Sequence, residues 1–245
     1  MSNPLDFSGR LIVITGVGRA GQVGEAIAHG FAQRGASLAL IDLALEQVTD
    51  RAFALTAERL GPVTAHAANL ADPADAERVA ADVLAAHQRH HAGQVDAVIC
   101  VAGGFGMTGP LSDADPAAWT KQFTINLETA FATTRAFLPA VRAARGSFVY
   151  FGSVAATPGG SSKGMAAYAA AKSGVLSLMR TVALDEKAHG VRANAVAPTA
   201  IRTASNVADM GDSTSYVERG SVADVVAFLA SPMARNVTGQ VLTLA

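Results

Sequence analysis

Tyr168 and Lys172 are four positions apart in Tyr168-Ala169-Ala170-Ala171-Lys172, a run of small residues that reads as helix. Residues i and i+4 share a helix face, so a phenol and an ammonium project into the same space. A nearby cation favours the phenolate and lowers a tyrosine pKa from its usual ~10, which lets it exchange a proton with an alcohol or carbonyl oxygen near neutral pH. Taken alone, such a pair reads more simply as a tyrosine beside a surface lysine. Two further polar residues change that. Ser153 closely follows the apolar run Ser147–Phe151, and Asn126 lies within Thr124-Ile125-Asn126-Leu127, inside an apolar helix where a buried amide needs a partner.

A second constellation opens the chain. The first apolar run leads into Thr15-Gly16-Val17-Gly18-Arg19-Ala20-Gly21-Gln22-Val23-Gly24, and Glu25-Ala26-Ile27-Ala28 starts a helix. Gly16, Gly18 and Gly21 satisfy G-x-G-x-x-G between a strand and a helix, the context in which bare backbone N–H groups cradle a pyrophosphate. The second run ends at Asp42, where an acid accepts hydrogen bonds from the adenosine ribose hydroxyls and repels a 2′-phosphate. That favours NAD over NADP. Arg19 argues the other way if its guanidinium meets that phosphate, and otherwise is a solvated loop residue.

These groups need a scaffold. Short apolar runs at Leu11–Thr15, Ser37–Asp42, Val63–Leu70, Val95–Val101, Ser147–Phe151, Val191–Ala197 and Val241–Leu244 alternate with helical stretches near 24–34, 44–60, 73–91, 116–144, 163–189 and 221–230. Strands apolar on both sides, each followed by a helix, predict an α/β fold: one doubly wound, Rossmann-type parallel sheet of about seven strands with helices on both faces. Asp72-Pro73 and Asp115-Pro116 read as helix starts, and Gly35, Gly61 and Gly190 as helix stops. The 245 residues are 50% hydrophobic, and no linker divides them, so residues 1–245 are expected to form one domain. No stretch reaches the ~18 apolar residues of a membrane span. Lys+Arg 19 against Asp+Glu 20 gives a net charge of −1, with no general attraction for nucleic acid or anionic lipid. The first residues lack the features of a secretory signal, and the single Cys100 fits a reducing compartment, so a cytoplasmic protein is expected.

Together, the nucleotide turn, Asn126, Ser153 and the Tyr168/Lys172 pair resemble the short-chain dehydrogenase/reductase family over essentially the whole chain. The resemblance implies an oxidoreductase that interconverts a secondary alcohol and a ketone with NAD, by hydride transfer at the nicotinamide. It implies Tyr168 as general acid/base, Lys172 as the residue that lowers the Tyr168 pKa and holds the nicotinamide ribose, and Ser153 on the substrate oxygen. Asn126 would anchor a water chain from Lys172 to solvent. Gly16, Arg19, Gln22, Val23 and Asp42 would bind the cofactor, with Asn69 and Leu70 near adenine and Ala102 and Gly103 beyond the fourth strand. Pro198, Ile201 and Thr203 match the carboxamide segment, and residues 204–220 the place of a short substrate lid. A homo-oligomer, tetramer or dimer, is expected through the long helices 116–144 and 163–189. An NADP-dependent 3-oxoacyl reductase and a non-catalytic nucleotide sensor on the same fold are the alternative readings.

The chain departs from the family pattern in several places. Its glycine turn carries two extra residues and has Gln22 where the family has Gly, and Cys100-Val101 replaces a pair of amides that brace the central strands. Asn69 stands for a usual Asp, and Thr199 for a usual Gly. Gly160-Ser161-Ser162-Lys163-Gly164 matches G-x-S-x-G, but Thr157-Pro158-Gly159 separates it from the preceding strand, contrary to a hydrolase elbow. His87, His90 and His91 cluster at a helix C-terminus, where the dipole favours positive charge without any metal; no metal site is expected. Cys100 reads as a small apolar core residue. Phe105 and Met107 either line the substrate pocket or fill the loop after the fourth strand.

Overall fold

The computed structural model describes residues 4–245. The apolar runs become seven strands: β1 (Leu11–Thr15), β2 (Ser37–Asp42), β3 (Val63–Ala67), β4 (Ala97–Cys100), β5 (Ser147–Phe151), β6 (Arg192–Pro198) and β7 (Val241–Leu244). All pair in parallel, in the order β3-β2-β1-β4-β5-β6-β7. The order reverses between β1 and β4, which opens a crevice at the carboxyl ends of those two strands. Eight helices lie on the sheet or at its edge: α1 (Val23–Ala32), α2 (Leu45–Ala57), α3 (Pro73–His91), α4 (Pro116–Phe123), α5 (Thr129–Ala144), α6 (Ala166–Asp185), α7 (Ala204–Met210) and α8 (Arg219–Ala230).

Side chains of a strand alternate between faces, and β1 serves both cores. Leu11 and Val13 pack with Val79 and Val83 of α3, Phe137 of α5 and Met179 of α6. Ile12 and Ile14 pack with Ile27 and Phe31 of α1, Val48 of α2 and Val226 of α8. Asp72 caps α3 by accepting from the Ala74 N–H, and Asp115 caps α4 by accepting from Ala117 and Ala118. Gly35, Gly61 and Gly190 all have positive φ, yet the left-handed residues that end or immediately follow α2, α3 and α5 are Arg59, Ala92 and Arg145.

Among the differences from the sequence expectation, three stand out. β3 stops at Ala67, which leaves Asn69 and Leu70 in a loop at the sheet's carboxyl edge. The stretch 116–144 divides into α4, a π-helical turn at Thr124–Glu128 and α5. The stretch 163–189 is α6 followed by a short 3-10 turn, Lys187–His189. No helix among the described residues is long and apolar enough to cross a membrane.

His87 and His91 of the histidine cluster reverse the expected charge preference. His66 on β3 and His87 on α3 share the Thr64 hydroxyl, each at 2.9 Å, and the His87 and His91 rings lie 5.8 Å apart. Burial pushes His87 down from 6.5 to about 4, helped by the neighbouring His91, His66 and His90. Burial likewise lowers His66 and His91, against the pull of Asp82 and Asp96 respectively. Desolvation therefore outweighs the helix terminus. No group of three or more candidate metal ligands occurs among the described residues. Because the unfolded chain binds a proton that folded His87 refuses, stability is expected to fall as the pH drops from 6.5 towards about 4. Melting temperatures across that window should show the decline, and His87→Gln should flatten it; equal slopes for both proteins would exclude the effect.

Candidate active site

A groove of about 500 Å³ runs along the carboxyl edge of the sheet, across the β1/β4 crevice. It brings together Gly16, Arg19, Gln22, Val23, Asp42, Asn69, Leu70, Ala102, Gly103, Ile201 and Thr203. Phe105 lines it too, with Ser205 and Asn206 of the 204–220 segment, and with Leu43, Ile125 and Thr129, which the sequence did not single out. Pro198 ends β6 in register with Leu244 and is not among the residues that line the groove.

The glycine turn is built by close approach. Gly16 has φ +75°, and a Cβ there would lie 2.8 Å from the Ala102 backbone nitrogen. Gly24 lets α1 touch the end of β1: a Cβ there would overlap the Gly16 carbonyl oxygen. Gly24→Ala is therefore expected to cost about 3 kcal/mol or more, since backbone must move to admit the methyl group. Urea unfolding measures this, and a wild-type midpoint would count against the packing argument. Asp42 is held in the groove by accepting from the Gly18 N–H and from the Leu43 N–H, both at 2.7 Å. The Thr15 hydroxyl donates to the Ile99 carbonyl at 3.4 Å and accepts from Ala102 N–H at 3.1 Å, bridging β1 and β4 where Cys100-Val101 offers no amide side chains. Cys100 itself is buried, and its thiol is pushed up to about 12, as suits an inert core residue.

Tyr168, Lys172 and Ser153 meet where β5 ends against α6. Ser153 follows β5 and is buried. Lys172 is also buried, donates to the Phe151 carbonyl at 2.9 Å and lies 5.9 Å from the centre of the Tyr168 ring. Phe105 packs edge-on against Tyr168, with ring centres 5.1 Å apart, and is 60% exposed on its other side. That contact decides between its two sequence readings in favour of a groove wall. Met107 is also exposed and reaches towards Gly164 in the facing loop.

Asn126 lies in the π turn, where the widened helix directs its amide at the 103–106 loop. Its Nδ2 donates to Gly104 O at 2.9 Å and Gln122 O at 3.0 Å, and its Oδ1 accepts from Gly104 N–H at 3.2 Å. The buried amide thus finds its partners in the loop that carries Phe105. The electrostatics correct one expectation. Burial raises the Tyr168 phenol above its ordinary 10, with interaction with Ser153 opposing it. Burial also lowers Lys172 from 10.5 to about 8, because the ammonium is the form that loses solvation.

A sequence profile described as enoyl-(acyl carrier protein) reductase matches residues 16–244. The chain is a short-chain dehydrogenase/reductase. It is 33% identical over 256 residues to 2-(S)-hydroxypropyl-CoM dehydrogenase 3 of Xanthobacter autotrophicus, covering 98% of this chain and 95% of that one. It is 31% identical to trans-4-hydroxycyclohexanecarboxylate dehydrogenase of Sinomonas cyclohexanicum, covering 96% and 91% respectively. A short-chain type dehydrogenase/reductase from Mycobacterium ulcerans superposes with a TM-score of 0.87 at 27% identity, over 97% of this chain and 89% of that one.

The family uses a nicotinamide cofactor, and the groove has the chemistry to take one. The glycine turn holds no Cβ where backbone meets backbone, and Gln22 gives α1 no side-chain cap, so its first N–H groups stay available to an anion. The one acid in the first turn of α1, Glu25, is neutralised by Arg51 at 2.6 Å while its other oxygen accepts from Gly21 N–H at 2.7 Å. Family membership makes the chain an oxidoreductase.

Proposed function

We propose that this short-chain dehydrogenase/reductase interconverts a secondary alcohol and a ketone, with NAD preferred over NADP. The observation that carries the reading is the convergence of Tyr168, Ser153 and Lys172 at the end of β5, beside a groove furnished with Asp42. A bound nicotinamide would supply or accept the hydride. Tyr168 would exchange the proton at the substrate oxygen, and the Ser153 hydroxyl would donate to that oxygen as charge develops on it. Lys172 would place positive charge beside the phenol and hold the nicotinamide ribose. Asn126 would anchor the proton path from Lys172 while fixing the Gly104 loop, and Phe105 would wall the substrate side. The names of the relatives, dehydrogenases of hydroxyl-bearing compounds, support this substrate class.

Residues 204–220 are proposed as the substrate lid of a single domain spanning 1–245. α7 and the Ile201–Val217 bridge give this segment more structure than its Gly- and Ser-containing sequence suggested. A homo-oligomer is proposed through the helices of 116–144 and 163–189, where Phe131 on α5 and Leu184 on α6 are exposed. Arg19 on the groove favours a second reading, an NADP-dependent reductase. Fluorescence titration with NADH and NADPH tests the choice, followed by a panel of secondary alcohols and ketones monitored at the nicotinamide absorbance. Tighter NADH binding and turnover of both partners of one pair are expected. Equal or tighter NADPH binding would overturn the role given to Asp42, and no turnover with any carbonyl would overturn the reaction.

A further inference from the structure

The two departures in the glycine turn meet the start of α7. Gly21 accepts from the Ala204 N–H at 3.0 Å, and a Cβ at Gly21 would lie 2.9 Å from the Ala204 Cβ, so turn and helix are in direct contact. One residue on, the Ser205 hydroxyl donates to Gln22 Oε1 at 3.0 Å. Gln22 and Ser205 both line the groove, so this contact closes over the end where the first N–H groups of α1 lie. With Oε1 engaged by Ser205, the Gln22 amide keeps two N–H donors, on a residue that lines the groove.

α7 does not yield easily elsewhere. Thr203 caps it by accepting from Asn206 N–H at 3.2 Å, and Asn206 Nδ2 donates to the Ile201 carbonyl at 2.8 Å. The Tyr216 hydroxyl donates to Asn206 O at 3.1 Å and Gly211 O at 2.8 Å, while the Arg202 guanidinium sits 4.8 Å from the Tyr216 ring. A segment braced internally in this way moves as a unit, and freeing it from the phosphate end requires breaking its contacts with Gly21 and Gln22.

We propose that Gln22 is a positioning residue that clasps α7 to the glycine turn and so sets the rate at which the dinucleotide leaves the groove. Its carbonyl oxygen holds Ser205, and its amide N–H groups would donate to the phosphates of a bound dinucleotide, so that lid and cofactor would be tied through one side chain. A glycine at this position supplies the turn but neither hydrogen bond. The inference rests on the reading of the groove as the nicotinamide dinucleotide site.

Stopped-flow fluorescence tests it by displacing bound NADH, or NADPH if that binds tighter, with excess oxidised nucleotide. Gln22→Ala and Ser205→Ala are each expected to release the nucleotide roughly three- to tenfold faster, the span of one neutral hydrogen bond. Ser205→Thr, which keeps the hydroxyl, should release near the wild-type rate, and the double alanine variant should be no faster than the faster single variant. Thermal unfolding should stay at the wild-type midpoint throughout, which separates a clasp from a general loosening of the turn. Wild-type release rates in both single variants, or rate increases that multiply in the double, would overturn the clasp alone. A wild-type protein that binds neither nucleotide would overturn the groove's assignment and the clasp with it.

Discussion

Tyr168→Phe is expected to lower kcat by about a thousandfold, within the usual range for a lost general acid/base, while NADH binding changes by less than about tenfold. Phenylalanine keeps the ring that packs on Phe105 and removes only the hydroxyl, so the loss falls on proton transfer. Direction of reaction adds a second readout. Burial raises the phenol above its ordinary 10, so the acid stays protonated at neutral pH and ketone reduction should be level there, declining only at alkaline pH. Alcohol oxidation, which needs the phenolate, should climb with pH over the same range. Burial works against it from the other side, because Lys172, lowered to about 8, surrenders its positive charge as the pH rises. Steady-state rates in both directions across pH, with binding followed by nicotinamide fluorescence, measure these outcomes. Wild-type turnover by the phenylalanine variant would remove Tyr168 from the chemistry.

Asp42→Asn is expected to shift the NADPH-to-NADH ratio of kcat/KM by about a hundredfold towards NADPH, combining lost charge-assisted bonds to the ribose with lost repulsion of a 2′-phosphate. Asparagine retains a side-chain oxygen to accept from one of the two backbone N–H groups that Asp42 now holds, Gly18 and Leu43. Arg19 lines the same groove and is the residue positioned to exploit the change. Adding Arg19→Ala to Asp42→Asn should therefore remove most of the gain for NADPH but leave NADH little affected. A ratio unmoved by Asp42→Asn would show that another part of the groove sets nucleotide choice.

Both predictions begin from residues visible in the linear sequence, and the frame around them was visible as well. β1, β2, β5, β7 and α3 have the bounds that their residues imply. The strands are apolar on both faces and therefore stand out as runs, while Asp72-Pro73 fixes the start of α3 by supplying a cap acceptor and a preset φ. α7 is not legible in the sequence because seven residues beginning Ala204-Ser205-Asn206 carry too little apolar periodicity, and Thr203 is the one local sign of it, as a cap. The π turn at Asn126 left no periodic trace, since one widened turn hardly disturbs the pattern of a 29-residue apolar stretch.

The sequence by itself determined the doubly wound fold, the family and the residue types gathered at the sheet's carboxyl edge, because these depend on local periodicity, on glycine and proline, and on spacing along one helix. Tertiary structure alone decided what depends on burial and on contacts between distant segments. It reversed the expected shift of Tyr168 and favoured the neutral forms of His87 and His91, because desolvation is a property of the assembled core. It gave the Asn126 amide to Gly104, 22 positions away, and the bracing of β1 and β4 to Thr15. It joined Gln22 to Ser205 across 183 positions, turning an irregular glycine turn into the holder of the segment above the groove. Local sequence can show that such a side chain is out of pattern; which partner it meets is settled only when the chain folds back on itself.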